Sequence, residues 1–243
     1  MKENKYDKQS FFDKYLQMNR SIYGLDGAGE WHELKKLLPD FKNKKVLDLG
    51  CGLGWHCKYA CKHDAKYVLG IDLSKKMLAK AKEINNDPKI EYCNQAIEDV
   101  QLPKASFDII LSSLAFHYIE DYQKLISNIY YWLKPGGNLV FSVEHPVFTS
   151  EGKQDWYYDE NQEIMHFPVD NYYFEGKREA IFLNEPVTKY HRTLTTYLQT
   201  LLQAGFVLTN IVEPKPPAEM MNIPGMQDEL RRPMMLLISA KKA

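Results

Sequence analysis

Short apolar runs alternate along this chain with stretches whose apolar residues recur at helical spacing. The runs predict strands near residues 45–49, 66–71, 89–93, 107–112, 137–143, 206–212 and 233–240. Apolar residues three and four apart predict helices near 55–63, 75–85, 121–133 and 193–204. Strand and helix in alternation imply an α/β fold, a mostly parallel sheet with right-handed crossovers. The last two strands are separated by a long connection, residues 213–232, carrying Pro214, Pro216, Pro217 and Pro224. Two segments fall outside this rhythm. Residues 6–40 read as two short helices joined by residues 20–29, and Tyr6, Phe11 and Phe12 suit the apolar face of an amphipathic helix. Residues 145–192 are rich in aromatics, among them Phe148, Trp156, Phe167, Tyr172 and Tyr190, and too poor in aliphatics for a core of their own. A hairpin is expected there, 172–174 against 180–182, turning through Glu175-Gly176-Lys177. Ligands of open α/β sheets bind beyond the carboxyl ends of the strands. Both segments enter or leave at that edge, so they read as lids, with packing decoration or a dimer interface as the alternative.

Composition narrows the partners. Lysine plus arginine number 31 and aspartate plus glutamate 32, a formal net charge of −1, so no global field draws a nucleic acid. No apolar run reaches membrane length, and Met1-Lys2-Glu3-Asn4-Lys5 lacks a signal-peptide core, which together predict a cytoplasmic protein that meets no membrane. Cys57 and Cys61 stand four apart with His56 and His63 nearby. Adjacent helical residues such as His56 and Cys57 point about 100° apart, and no second ligand pair follows at zinc-like spacing. Reduced, packed thiols and no metal are expected.

The chemistry concentrates at Val46-Leu47-Asp48-Leu49-Gly50-Cys51-Gly52-Leu53-Gly54, where an apolar strand ends in an acid and three glycines spaced two apart. Glycines there let backbone approach a ligand closely. Val68-Leu69-Gly70-Ile71-Asp72 reads as the next strand, and an acid at that tip accepts hydrogen bonds from ribose hydroxyls. The spacing is G-x-G-x-G and not the dinucleotide G-x-G-x-x-G, which argues against a nucleotide-dependent oxidoreductase. With Asp72-Leu73-Ser74 followed by Met77-Leu78, Phe107-Asp108-Ile109-Ile110-Leu111-Ser112-Ser113, and Leu133-Lys134-Pro135-Gly136-Gly137 before Asn138–Phe141, the chain resembles the class I S-adenosylmethionine-dependent methyltransferases. Within that class it is most similar to the type 11 small-molecule group related to ubiquinone biosynthesis.

The resemblance implies a doubly wound, Rossmann-like sheet of seven strands in the order 3-2-1-4-5-7-6, the last strand antiparallel. It implies one domain over 1–243: an N-terminal helical cap (1–40), a cofactor-binding core (41–144), an aromatic insert (145–192) and a C-terminal helix with the last two strands (193–243). The implied cofactor is S-adenosylmethionine, with S-adenosylhomocysteine as product. Gly50, Gly52 and Gly54 would contact its amino-acid part, and Asp48 would orient that loop or reach the amine. Asp72 would hold the ribose, Leu73 and Met77 would flank the adenine, and Gln95, Ala96 and Ile97 would lie beside its amino group, where the family often has an acid. Ser112 stands at the strand-four tip. In the cap, Tyr23 could cover the cofactor and Arg20 could clamp a carboxylate. Candidate bases follow the strand ends: His117, His145 and His191, since histidine titrates near neutrality. Each has a packing alternative, His117 as a brace of the strand-four loop. Ser112-Ser113-Leu114-Ala115 stands where base-modifying members carry an N-P-P-Y-type tetrapeptide, which disfavours a nucleic-acid base as acceptor. The expected function is methyl transfer to an O, N or C atom of a small molecule by a monomer or homodimer. A protein that binds the cofactor without catalysis is the alternative.

Overall fold

The computed structural model describes residues 4–243; the first three residues of the expected cap lie outside the described residues. Seven strands form one sheet: β1 (Lys45–Leu49), β2 (Tyr67–Asp72), β3 (Ile90–Asn94), β4 (Phe107–Ser113), β5 (Leu133–Glu144), β10 (Phe206–Val212) and β11 (Met235–Lys242). Their order is β3-β2-β1-β4-β5-β11-β10, with β11 antiparallel to both neighbours and the rest parallel. This is the 3-2-1-4-5-7-6 arrangement of the methyltransferase class. The helices between them are α4 (Trp55–Lys62), α5 (Lys75–Ile84), α6 (Tyr122–Trp132) and α8 (Leu194–Gln203). β5 begins before the expected start because Leu133 already pairs with Phe107; Pro135-Gly136-Gly137 lies within the register shift, and regular pairing resumes at Asn138 opposite Ile109.

Strand alternation divides the core into two layers. Leu47 and Leu49 of β1 face α6 and α8, packing with Ile126, Ile129 and Leu201. Val46 faces the other way, toward α4, with Cys57, Ala60 and Leu78. Period two therefore turns Asp48 to the α4 face as well, an acid delivered beneath the helix that follows the glycines.

The outlying segments depart from expectation in detail. Among the described residues the cap holds three α-helices, not two: α1 (Gln9–Leu16), α2 (Asn19–Ile22) running into the expected linker, and α3 (Trp31–Leu37). The insert contains α7 (Pro146–Ser150), a small pair β6 (Tyr157–Tyr158) and β7 (Ile164–His166), and a hairpin β8 (Gly176–Phe182) with β9 (Glu185–His191). The hairpin turns at Leu183-Asn184, both left-handed (φ 52° and 61°), the two-residue geometry that suits the strand twist. Gly176 opens the strand, so the expected turn at 175–177 and pairing of 172–174 are corrected. Glu175 is drawn off to the start of α8, where its carboxylate accepts from Thr193 N (2.8 Å), Thr193 Oγ1 (2.7 Å) and Thr196 Oγ1 (2.6 Å).

Cap and insert pack on each other. Phe11, fully buried, lies edge-on to Phe182 and shares a small core with Ala180 and Val187. Lys8 pairs with Glu185 at 2.6 Å, and Lys14 Nζ donates to Leu183 O at 3.1 Å. Neither segment has enough apolar residues for a core alone; together they do.

Candidate functional site

The loop between β1 and α4 is built from Gly50 (φ 77°), Gly52 (φ 53°) and Gly54 (φ 76°). A Cβ at Gly50 would stand 2.4 Å from Ala115 Cβ, and one at Gly54 would stand 2.2 Å from Tyr92 Oη, so fold packing requires both glycines. Gly52 differs: a Cβ there would meet only the mobile end of Met77, at 3.3 Å. Its N–H donates to Asp72 Oδ2 at 2.8 Å, while Ser74 N donates to Oδ1 at 2.8 Å. Burial nevertheless raises the Asp72 carboxyl above its ordinary range, and the neighbouring Asp7 adds to the effect. Asp7 accepts from Ser74 Oγ (2.6 Å) and Lys76 N (3.0 Å), and Asn4 Nδ2 donates to Leu73 O (3.2 Å), so the cap begins directly on the β2 tip.

Asp48 is 1% exposed. Its Oδ2 accepts from the Cys57 thiol at 3.2 Å, and its Oδ1 is buried with no partner. Burial pushes this carboxyl up to about 7. Met77, Ala96 and Ile97 are buried; Met77 Cε lies 3.3 Å from the Cβ position of Gly52 and Ile97 Cδ1 3.6 Å from that of Gly50, so Met77 and Ile97 meet the glycine loop. Gln95 is half-buried and spends its amide on Asp99 O at 2.9 Å, with its backbone N–H on Asp72 O at 3.1 Å. Ser112 Oγ donates to Leu49 O at 2.7 Å, tying the tip of β4 to the last residue of β1. An orphaned carboxylate oxygen, an uncrowded glycine and a strand-end acid at one edge fit a ligand with an ammonium and a ribose.

The cap contributes an ion pair between half-buried Arg20 and buried Glu30. Arg20 Nη2 donates to Glu30 at 2.9 and 3.1 Å, and Glu30 also accepts from Ser113 Oγ at 3.5 Å. Tyr6, Tyr15 and Tyr118 meet edge to face, with the Tyr6 and Tyr118 hydroxyls 3.3 Å apart. Asp72 lies close enough to Tyr6 and Tyr15 to push both phenols up, although burial does more. Tyr23 stands apart from this group, 67% exposed.

The three histidines occupy different environments. His191 accepts or donates at both nitrogens, Nδ1 to Thr149 Oγ1 (2.8 Å) and Nε2 to Tyr172 O (2.9 Å). A carbonyl can only accept, so Nε2 carries the proton and the ring is committed. His145 caps α7, its Nδ1 accepting from Val147 N at 3.0 Å. Its Nε2 comes within 2.8 Å of Glu213 Oε1, off the line of a hydrogen bond. His117 sits behind the Tyr6–Tyr118 contact, with its ring 4.5 Å from that of Tyr118. Its Nδ1 accepts from Glu144 N at 3.3 Å, and burial pulls it down to about 4, so it is neutral at pH 7.

Sequence reasoning passed over Glu144 in favour of its neighbour His145. The carboxylate of Glu144 meets Lys189 Nζ at 2.6 Å and Gln154 Nε2 at 2.7 Å, and Gln154 Oε1 accepts from the same lysine at 2.7 Å. Lys189, in β9, is only 3% exposed. Period two from the buried Ser142 flags Glu144, but nothing local announces Lys189. Several insert aromatics serve packing: Phe148, Trp156 and Phe167 surround the Arg232 guanidinium at 4.5, 4.9 and 4.7 Å from their ring centres. A cavity of about 500 Å³ is lined by His32, Glu33 and residues 212–219 and includes no residue of the glycine loop. Among the described residues no cluster of His, Cys, Asp and Glu could hold a metal ion, and no helix is long and apolar enough to cross a membrane.

Residues 47–141 match the family model described as a methyltransferase domain. A provisionally assigned S-adenosylmethionine-dependent methyltransferase from Listeria monocytogenes is 55% identical, with a TM-score of 0.87, over 90% of this chain and 99% of its own. An S-adenosylmethionine-dependent methyltransferase from Mesorhizobium loti is 42% identical, with a TM-score of 0.83, over 90% of this chain and all of its own length. A Haemophilus influenzae protein of uncharacterised function is 35% identical across 98% of this chain and 96% of its own. Curated relatives with named acceptors, such as the phosphoethanolamine N-methyltransferase of Plasmodium falciparum and the malonyl-[acyl-carrier protein] O-methyltransferase of Halalkalibacterium halodurans, match along only about half their length (58% and 46%). With the sheet order and glycine loop in place, the chain belongs to the class I S-adenosylmethionine-dependent methyltransferases, type 11, and S-adenosylmethionine is its cofactor.

Proposed function

We propose that this methyltransferase acts on a small molecule enclosed beneath the joined cap and insert. The observation that carries this reading is the packing of Phe11 against Phe182, Ala180 and Val187, which closes α1 onto the β8–β9 hairpin. A polymer would have to part that contact, and the near-balanced charge offers a polyanion no compensating attraction. The relatives with named acceptors methylate nitrogen in one case and oxygen in another, so the shared core leaves the acceptor atom to the roof residues.

In this reading Gly50, Gly52, Gly54 and Asp48 hold the amino-acid part of the cofactor, Asp72 the ribose, and Leu73, Met77, Gln95, Ala96 and Ile97 the adenine side. Ser112 supports the loop through Leu49 O. Arg20 meets the cofactor carboxylate while Glu30 steadies its other edge, and Tyr23 lies at the rim. The sulfonium supplies an electrophilic methyl group, and the protein's part is to exclude water and hold the acceptor in line. Of the three histidines, His117 is the acceptor-side candidate. His191 has both nitrogens engaged, and His145 is turned to the α7 backbone and Glu213. His117 commits only Nδ1 and stays neutral, able to take a proton from, or orient, an acceptor beside Tyr6 and Tyr118.

The test is incubation of the protein with methyl-labelled S-adenosylmethionine and a cell extract separated into small-molecule, protein and nucleic-acid fractions. Label should enter the small-molecule fraction. Label confined to protein or nucleic acid overturns the proposal.

A further inference from the structure

Two residues of the β1–β2 region have no role in the reading above. Cys57 is fully buried in the first turn of α4, and Gly70 lies opposite Asp48 in the β1–β2 register. They are linked. A Cβ at Gly70 would stand 2.9 Å from Cys57 Sγ and 3.0 Å from Cys51 Sγ, so the glycine leaves room on the sheet for a sulfur. That sulfur donates its proton to Asp48 Oδ2 at 3.2 Å, and Oδ1 of the same carboxylate is buried without a partner. An isolated buried carboxylate oxygen costs free energy to leave unmade. An arrangement that satisfies one oxygen and leaves its twin bare points to a donor outside the protein.

We infer that Cys57 is a positioning residue for the cofactor, holding Asp48 by one oxygen so that the other meets the cofactor's ammonium group, with Gly70 making space for the thiol. The inference rests on the proposed contact between Asp48 and the amino-acid part of the cofactor. The groups that face Asp48 are Cys57 from α4, Cys51 from the loop, Asp72 from β2 and Tyr92 from β3. Asp72 disfavours the charged form of Asp48, and the Cys57 thiol is the one side-chain donor that favours it. An ammonium would favour that form further, so binding of the amino-acid part should strengthen as pH rises through neutrality. Without the thiol the rise should come at higher pH.

The experiment measures dissociation constants of S-adenosylhomocysteine and of 5′-methylthioadenosine, which keeps the nucleoside and lacks the amino acid, between about pH 6 and 8. Their ratio cancels effects confined to the ribose end. Cys57→Ala should weaken S-adenosylhomocysteine about tenfold, or ~1.4 kcal/mol, leave methylthioadenosine nearly unchanged, and move the pH rise of the ratio upward. Cys57→Ser, which keeps a donor, should restore the parent behaviour. Gly70→Ala, which displaces the sulfur from the other side, should copy Cys57→Ala and stands in for it if that variant does not fold. Asp48→Asn separates the two levels of the argument. If it spares the ratio, the contact between Asp48 and the cofactor amine is wrong. If it raises the ratio while Cys57→Ala and Gly70→Ala do not, the positioning role of Cys57 is wrong.

Discussion

At the scale of single residues, burial decides which ionisable groups can work. His117 is held neutral because its ring is enclosed, and the nearby Glu144 carboxylate does not offset that enclosure while Lys189 and Arg192 oppose protonation. An unfolded histidine titrates near pH 6.5, so between that value and about 4 the unfolded chain binds a proton at position 117 that the folded chain refuses. Stability contributed by the neutral ring is therefore present above that window and lost as pH falls through it. His56, also down to about 4, acts the same way, and Asp48, up to about 7, acts oppositely, so the whole-protein profile mixes signs. A single variant isolates the effect. His117→Leu should destabilise by about 1–3 kcal/mol at pH 7 through the lost acceptor for Glu144 N, and by clearly less at pH 5. Urea midpoints at the two pH values measure this; an equal loss at both would sink the burial argument. The same variant should bind S-adenosylmethionine normally and turn over slowly if His117 faces the acceptor.

At the scale of elements, local signals predicted the sheet and missed the contacts between distant segments. The seven strands and the glycine loop follow from apolar runs that end in acids and glycines, signals contained within a few residues of each other, while the strand order follows from the resemblance to the methyltransferase class. The Leu183-Asn184 turn was harder to see because its only cue is one asparagine, while Gly176 offered a stronger and misleading one. Helix α2 hid in a glycine-rich linker for the same reason. The meeting of α1 with β8 and β9 joins residue 11 to residue 182, and the Glu144–Lys189 pair joins 144 to 189; no window of sequence holds both partners. Phe11→Ala tests whether that meeting is a separable roof. Phe-to-Ala changes in a core cost about 3–5 kcal/mol, but here the loss falls on a satellite cluster of three buried residues separate from the two layers of the sheet core. Hydrogen exchange should speed up together in α1 and in the β8–β9 hairpin, with the sheet strands unaffected. Exchange that rises everywhere would mean that the roof and the sheet are one cooperative unit.

At the scale of the whole molecule, the proposed cofactor site draws on several elements that are already tied to one another and that a bound ligand would bridge. Asp7 and Asn4 reach the β2 tip from the cap, Asp72 ties that tip to Gly52, and Ser112 ties β4 to β1 through Leu49. A nucleoside held across these elements links the cap, both central strands and the glycine loop, so its binding free energy should add to the stability of the whole chain. A ligand at 100 times its dissociation constant adds about 2.7 kcal/mol, and for a protein of this length that corresponds to a rise of about 5–10 °C in Tm. S-adenosylmethionine and S-adenosylhomocysteine should both produce it, and NADH should not, because G-x-G-x-G lacks the final glycine of the dinucleotide pattern. Asp72→Ala should erase the rise for both sulfur nucleotides, since its carboxylate joins Gly52 and Ser74 and, in the proposed reading, receives the ribose. If the variant melted as the parent does and still gained the full rise, the ribose would be held by another group, and the β2 acid would serve only to shape the loop.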